Sequence, residues 1–259
     1  MNIIILTSLR QGMASRCLPA LCANPKLNVV RVVLANGGSP NKKRALKRRL
    51  QKTWRIGLLG ALNGIRLRDW YADKDVEDLS DVCHRHKVEL VETEFVNSEQ
   101  TRNLFREVSP DLGLSLGNGY IGKSVYSIPR FGMVNIHTEV LPRFQGAQSI
   151  IWPLYEGVQE TGFTIHQIDA HIDTGAILFQ QRSPISFYPT LRETVEQNLK
   201  TSWVQIPMAF SYVCENYEEL SRKSMNQEHS RSYTTPTFWQ FLHMLRKHKE
   251  MYQSSHKPI

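Results

Sequence analysis

No aspartate or glutamate occurs in the first 68 residues of this 259-residue chain, although 14 lysines and arginines do. The remainder holds 18 basic against 24 acidic residues, so the formal net charge of +8 is a local field and not an average property. Eight of the 14 lie between Lys42 and Arg55, in the run NKKRALKRRLQKTWR. Such a cluster suits an anionic partner: a phosphorylated substrate, an acidic membrane surface or nucleic acid. No nucleic-acid-binding motif accompanies the charge, which makes nucleic acid the weakest of the three. Leu46, Leu50, Trp54, Leu58 and Leu62 recur every four residues through the same segment. The charges therefore also fit the solvated side of an amphipathic helix whose apolar stripe is buried.

Long apolar runs are missing as well. Stretches such as Ile3 to Leu6 fall far short of the roughly 20 residues a membrane helix needs, and no basic, apolar and small-residue leader opens the chain. A soluble cytoplasmic protein without integral membrane contact is expected. Cysteine is scarce, and Cys17, Cys22, Cys83 and Cys214 form no CxxC pair, so buried thiols are expected and no disulfide framework. The remaining metal-ligand candidates are His84 and His86, in a charged stretch without partner carboxylates, and His166 and His171, which flank a loop read otherwise below; no metal is expected. Internal repeats and low-complexity tracts are also lacking.

What the sequence does contain is an alternation of β-branched runs with helical patterns, the signature of a parallel sheet covered by helices. Strands are predicted near 2 to 7, 28 to 34, 88 to 92, 111 to 116 and 132 to 137, with two more near 161 to 168 and 176 to 182. Helices are predicted at 15 to 24, 42 to 62, 75 to 86, 98 to 107 and 148 to 156, with Ser98 and Asp75 as caps, and a long one from Leu191 to Leu220. The fold class is α/β, an open, mostly parallel twisted sheet flanked by helices, over residues 1 to 220. Residues 221 to 259 are predicted as an appendage with one amphipathic helix presenting Phe238, Phe241, Leu242 and Leu245. Open sheets of this kind bind ligands beyond the carboxyl ends of their strands, so chemistry is expected in the loops that follow them.

The chemistry concentrates between 111 and 178. If 132 to 137 is a strand, Asn135 and His137 project from one face, placing an amide beside an imidazole. Asp173 follows in a loop, and Thr174 and Gly175 permit a tight turn that aims its carboxylate inward. A donor, a proton-handling ring and a carboxylate suit attack of an amine on a carbonyl, which builds negative charge on oxygen and positive charge on nitrogen. Taken by residue type alone, a hydrogen-bonded structural histidine is the competing reading.

The segment GYIGKSVYSIPRFGMVNIHTEVLPRFQGAQSIIWPLYEGVQETGFTIHQIDAHIDTGAIL resembles the formyltransferase family shared by glycinamide ribonucleotide, methionyl-tRNA and amino-sugar formyltransferases. The opening MNIIILTS, the element order and PDLGLSLGNGYI extend the likeness loosely to about residue 218. The resemblance implies a Rossmann-like formyltransferase fold and transfer of a formyl group from 10-formyltetrahydrofolate to an amine. It implies Asn135, His137 and Asp173 as the catalytic triad, without a metal. It also implies a pterin held by loop backbone at Leu116, Asn118, Gly119, Tyr120, Ile121 and Gly122, and at Ile168, Asp169 and His171. On the acceptor side, Arg10 and Gly12 of the loop after the first strand are candidates, with Arg16 beside them, and Gln145 and Gly146 beyond the triad. Tyr120 and Phe144 are candidates to contact pterin or acceptor.

This sequence departs from the family in three places. Thr138-Glu139 stands where Pro-Ser or Gly-Ser is frequent, Gln145 where a basic residue is frequent, and Ser8 to Gly12 (SLRQG) where glycinamide ribonucleotide enzymes carry Gly-Ser-Asn. The altered phosphate loop counts against glycinamide ribonucleotide, and the resemblance implies a C-terminal extension in amino-sugar members, so a phosphate-bearing small-molecule amine, specifically a nucleotide-linked amino sugar, is the leading acceptor. Glycinamide ribonucleotide, methionyl-tRNA, water in a hydrolase, and a non-catalytic folate or nucleotide sensor are the alternatives. Homodimer formation is left open.

Overall fold

The computed structural model describes residues 1–36, 42–146, 148–228 and 230–256, so 229 and 257–259 of the segment after 220 lie outside the described residues. Nine strands and nine helices are found among them. In chain order they are β1 (Asn2–Thr7), α1 (Met13–Ala23), β2 (Asn28–Ala35), α2 (Lys42–Trp70), α3 (Leu79–His86), β3 (Leu90–Thr93), α4 (Glu99–Val108), β4 (Leu112–Ser115) and α5 (Lys123–Tyr126). They continue with β5 (Met133–His137), β6 (Gln145–Gly146), α6 (Ile151–Tyr155), β7 (Glu160–Gln167), β8 (Ile177–Pro184), α7 (Leu191–Glu215), α8 (Tyr217–Lys223), β9 (Ser232–Tyr233) and α9 (Phe238–Ser255).

Seven strands form one sheet in the order β3-β2-β1-β4-β5-β7-β8, parallel through β5 and antiparallel where β7 and β8 join. β1 runs as an unbroken apolar segment because both of its faces are covered. Ile3 and Ile5 enter the larger core with α1, α7 and α9, while Ile4 and Leu6 enter a smaller core with Phe105 and Val125. The chain goes from β1 outward to β2 and β3, then returns to β4 on the other side. That reversal opens a crevice at the carboxyl ends of β1 and β4.

The sheet is the α/β arrangement expected, and three helices differ in detail. α3 starts at Leu79 and not at 75, because the Asp78 side chain accepts from the Ser80 amide at 2.9 Å and caps it. The long C-terminal pattern divides at Asn216 into α7 and α8. On α9 the buried residues are Phe241, Met244 and His248, whereas Leu242 and Leu245 stay partly in water. Tyr233, Phe241 and Met244 belong to the same core as β1, so the segment after 220 packs on the body of the molecule.

α2 reverses its expected orientation. The predicted stripe of Leu46, Leu50, Trp54, Leu58 and Leu62 is exposed, and the packed positions are Ile56, Gly60, Leu67 and Trp70. Small residues explain the choice: a Cβ at Gly60 would lie 3.4 Å from the Pro236 carbonyl oxygen, and one at Gly64 would lie 3.0 Å from a Thr235 methyl. The glycines let the chain before α9 cross close to the helix, which bulkier residues would prevent. No helix among the described residues is long and apolar enough to cross a membrane.

Candidate functional site

Pairing across the sheet builds the site floor. Ser115 of β4 pairs with Asn135 of β5, and Asn135 pairs with His166 of β7, so these three side chains rise from the same face. His137 lies two residues on and shares that face. Asn135 is half-buried and borders a cavity of about 650 Å³.

Asp173 closes the group from the loop between β7 and β8. Its own backbone is left-handed, with φ 56°, which a non-glycine residue holds only when its surroundings over-determine it. Two restraints do so. Gly175 passes so close to β7 that a Cβ there would sit 1.8 Å from the Gln167 carbonyl oxygen. The Gly146 amide donates to Asp173 Oδ2 at 3.1 Å. The carboxylate then lies 3.5 Å from His137 Nδ1 and 3.6 Å from His166 Nε2.

The partners of the far ring nitrogens fix the proton inventory. His137 Nε2 lies 2.6 Å from the Phe144 carbonyl oxygen, and His166 Nδ1 lies 2.8 Å from the Gln167 carbonyl oxygen. A carbonyl only accepts, so each neutral ring spends its one N–H on backbone and turns a lone pair toward Asp173. Three acceptors converge, and one added proton satisfies one of the two imidazole–carboxylate contacts. His166 Nε2 is indeed buried without a hydrogen-bond partner. Burial pushes the His137 pKa down, against the opposing pull of Asp173 and the Phe144 carbonyl. Burial pushes Asp173 up, but the approach of His166, the positive charge the imidazoles carry when protonated and the Gly146 amide outweigh it and leave the carboxyl below its ordinary value.

Two loops flank this cluster on the same cavity. Gly117 to Ile121 follows β4, and Ile168 to Asp173 follows β7; Asn118, Gly119, Tyr120, Ile121, Ile168, Asp169 and His171 all border the space. Asn118 is braced, donating to the Leu6 carbonyl at 2.6 Å and accepting from Ser8 Oγ at 2.9 Å. Asp169 Oδ1 accepts from the His171 amide and from Thr174 Oγ1, which holds the second loop in shape. Leu116 and Gly122 stand behind the wall: the Leu116 carbonyl accepts from Thr7 Oγ1, and the Gly122 amide donates to Asn97.

The acceptor-side candidates are split. Gly146 borders the cavity, whereas Gln145 is buried beside it with its amide toward Gln227, and Phe144 lies in the core. Arg10 and Gly12 do not border it. Arg10 pairs with Glu92, Gly12 precedes α1, and Arg16 is held by Asp73, so the loop after β1 is engaged in holding its neighbours. The cation at the cavity is instead Arg55 of α2, whose guanidinium donates to Thr234 Oγ1 at 3.1 Å. Ser232, Tyr233 and Thr234 complete the wall, because β9 pairs with β6. Arg55 and these three were missed as site residues. Their sequence signals are the basic run that ends at Arg55 and a lone aromatic in the polar run RSYTT.

The departure at Glu139 has a structural role. Its buried carboxyl accepts from the amides of Ile150 (2.7 Å) and Val140 (3.1 Å) and from Thr161 Oγ1 (2.8 Å). It thereby holds Ile150 at φ 68°, a strained value for a β-branched residue. Burial raises its pKa from 4.5 to about 7, with these three hydrogen bonds opposing. A raised carboxyl keeps its proton longer in the folded state, so its contribution to stability falls as pH rises from 4.5 to about 7 and is level above that. The change amounts to about 3 kcal/mol. Glu139→Gln, which cannot ionise but turns an amide toward the Val140 N–H, is expected to be less stable than the parent at pH 5 by about 1 kcal/mol and more stable at pH 8. Urea unfolding of both proteins at the two pH values checks this, and a difference independent of pH contradicts it.

Known proteins share this architecture. Solved structures matching most of the chain include glycinamide ribonucleotide transformylase 1 from Symbiobacterium toebii, at TM-score 0.57 and 15% identity, covering 89% of this chain and 92% of that one. Another is WlaRD, a sugar 3N-formyl transferase solved in the presence of dTDP and 5-N-formyl-THF, at TM-score 0.53 and 17% identity, covering 100% of this chain and 82% of that one. In sequence, methionyl-tRNA formyltransferase of Thermotoga maritima is 30% identical over 159 residues, which are 60% of this chain and 49% of that protein. The chain spans half or less of the length of the curated relatives it matches. The family profile for formyl transferase matches residues 29–206, which run from β2 into α7 and include Asn135, His137 and Asp173. By that match the chain belongs to the formyl transferase family.

Proposed function

We propose that this chain transfers a formyl group from 10-formyltetrahydrofolate to the primary amine of a nucleotide-linked amino sugar. The observation that carries the reading is the proton-poor cluster of His137, Asp173 and His166 beside the Asn135 amide, at one end of a cavity of about 650 Å³. The cavity suits a folate. Its size falls within the range of small-molecule sites, and Ile121, Ile136, Ile168 and Ile172 offer apolar surface to a flat ring beside polar loop residues. Bound there, 10-formyltetrahydrofolate supplies the formyl carbonyl.

The residues divide the work. Asn135 donates from its amide to the carbonyl oxygen on which negative charge grows as the amine attacks. His137 Nδ1, whose lone pair faces Asp173, takes the proton that the amine nitrogen must lose and holds it against the carboxylate. The same proton is returned to the nitrogen that departs from the formyl carbon, so the cluster ends as it began. His166 positions the carboxylate from its other side.

For the acceptor, Arg55 replaces the expected Arg10 as the cation that meets phosphate, and the exposed Tyr120 offers an aromatic face to a base. The sugar formyltransferase solved with dTDP supports that class. The methionyl-tRNA formyltransferases among the relatives support a tRNA-linked amine as the second reading. The test follows folate absorbance with 10-formyltetrahydrofolate and, in turn, nucleotide-linked 3- and 4-amino sugars, glycinamide ribonucleotide, methionyl-tRNA and no amine. Turnover that requires an amino sugar supports the proposal. Turnover without amine identifies a hydrolase, and saturable binding without turnover a sensor; either result overturns it. Arg55→Ala is expected to raise KM for the phosphate-bearing acceptor about tenfold while leaving KM for the folate within about twofold. Equal effects on both constants would remove Arg55 from the acceptor side.

A further inference from the structure

Between Ile56 and Ile65 the sequence IGLLGALNGI is almost wholly apolar, yet only one side of this stretch of α2 packs on the protein. Leu58, Leu62 and Ile65 stand on the other side, 71%, 56% and 60% exposed. Gly57, at φ 75° and ψ 164°, kinks α2, and on the helical segment before it Leu46, Leu50 and Trp54 are exposed as well, Trp54 at 91%. A helical segment apolar on every side is ordinarily covered on every side, and two adjoining segments that both hold large apolar side chains in water mark a contact surface. Around these side chains the exposed charges are of one sign: Lys43, Lys47, Arg48, Arg49, Arg66 and Arg68, with no acidic residue in the helix before Asp69.

We infer that the outer face of α2 docks this protein on a lipid bilayer carrying anionic headgroups. Charge selects among the occupants. A second copy of the chain would bring the same positive field against itself. Nucleic acid would satisfy the lysines and arginines but offer nothing to six large apolar side chains. A bilayer surface meets both demands, taking tryptophan and leucine to the depth of the acyl boundary while lysine and arginine remain among the headgroups. Such a helix lies in the plane of the surface and does not span it. Arg55 on the same helix reaches Thr234 at the cavity, so docking through α2 sets the substrate site close to the membrane.

The test is cosedimentation of the full chain with phosphatidylcholine vesicles, with and without phosphatidylglycerol. Binding is expected only with the anionic lipid, weakening as salt is raised. Leu58→Ser with Leu62→Ser, which keeps every charge, and Arg48→Glu with Arg49→Glu, which keeps every apolar side chain, should each weaken binding on the order of tenfold or more. These side chains are exposed, and an unchanged Tm verifies the fold. A blue shift of tryptophan emission on vesicle addition, lost in Trp54→Phe, locates the contact on α2. Three results overturn the inference: no binding to anionic vesicles; binding to an RNA hairpin that survives removal of the leucines while vesicle binding is absent; or self-association abolished by the leucine variants without vesicle binding.

Discussion

Asn135→Ala is expected to lower kcat by about 10² to 10³, the usual worth of one preorganised donor to a developing oxyanion. Asp173→Asn and His137→Ala are expected to lower it by about 10² to 10⁴, because each removes the site's capacity to hold a transferred proton. The two losses differ in kind. In the parent, His137 Nδ1 and His166 Nε2 both present lone pairs to a carboxylate that itself only accepts. An amide at 173 offers an N–H to one of those nitrogens and satisfies it without any proton from substrate. Asp173→Asn therefore keeps the shape of the site and removes its appetite for a proton. Folate affinity, measured by binding titration, should stay within a fewfold in the Asn135 and His137 variants, since the proposed pterin contacts are to backbone of the loops after β4 and β7. Burial holds His137 below the ordinary imidazole range, so kcat/KM in the parent should stay level as pH falls toward 6.5 and decline only beneath it. A variant that retains near-parental kcat loses its assigned role.

The parts of the molecule legible in the sequence are those where local pattern and tertiary environment agree. NIIILT reads as a central strand because burial on both faces demands an unbroken apolar run, and β1 is that strand. Asn135 and His137 read as one face because a strand alternates, and the pairing of Asn135 with His166 follows from geometry that no single segment reveals. Elsewhere side-chain size does not decide burial. On α2 the leucines were the conspicuous residues, but close packing against the chain before α9 selected the side bearing Gly60 and Gly64. Arg10 follows β1 as the sequence suggests, yet its guanidinium pairs with Glu92 and does not border the cavity. His166 was weighed only as a metal ligand, because its partner is a carboxylate seven residues on that the turn at Gly175 folds back toward it.

Gly146→Ala should test how far the residues after 220 belong to the site. Gly146 has φ 101°, and an added methyl carbon would lie 2.0 Å from the Tyr233 carbonyl oxygen, a contact with backbone that no rotamer relieves. The chain can accept the substitution only by parting β6 from β9. Tyr233, which packs 4.8 Å from the Trp152 ring and 5.6 Å from Phe144, then loses its seat. Thr234 goes with it, releasing both the Trp152 indole N–H that its carbonyl accepts and the Arg55 guanidinium. On the other side, the Gly146 amide shifts away from Asp173 Oδ2, so the same methyl group loosens the carboxylate. A displacement of about 1 Å at a reacting group is enough to cost roughly 10² in rate, and kcat/KM is expected to fall by at least that much. The seven-stranded sheet and the smaller core lie elsewhere, and Tyr233 is one member of a large core, so cooperative unfolding should survive with a lowered Tm. Faster amide exchange confined to residues 230–236 distinguishes a detached wall from general destabilisation. Parental kcat/KM together with parental exchange in that segment would mean that β9 is dispensable to the site, and that the acceptor is held by the sheet and its loops alone.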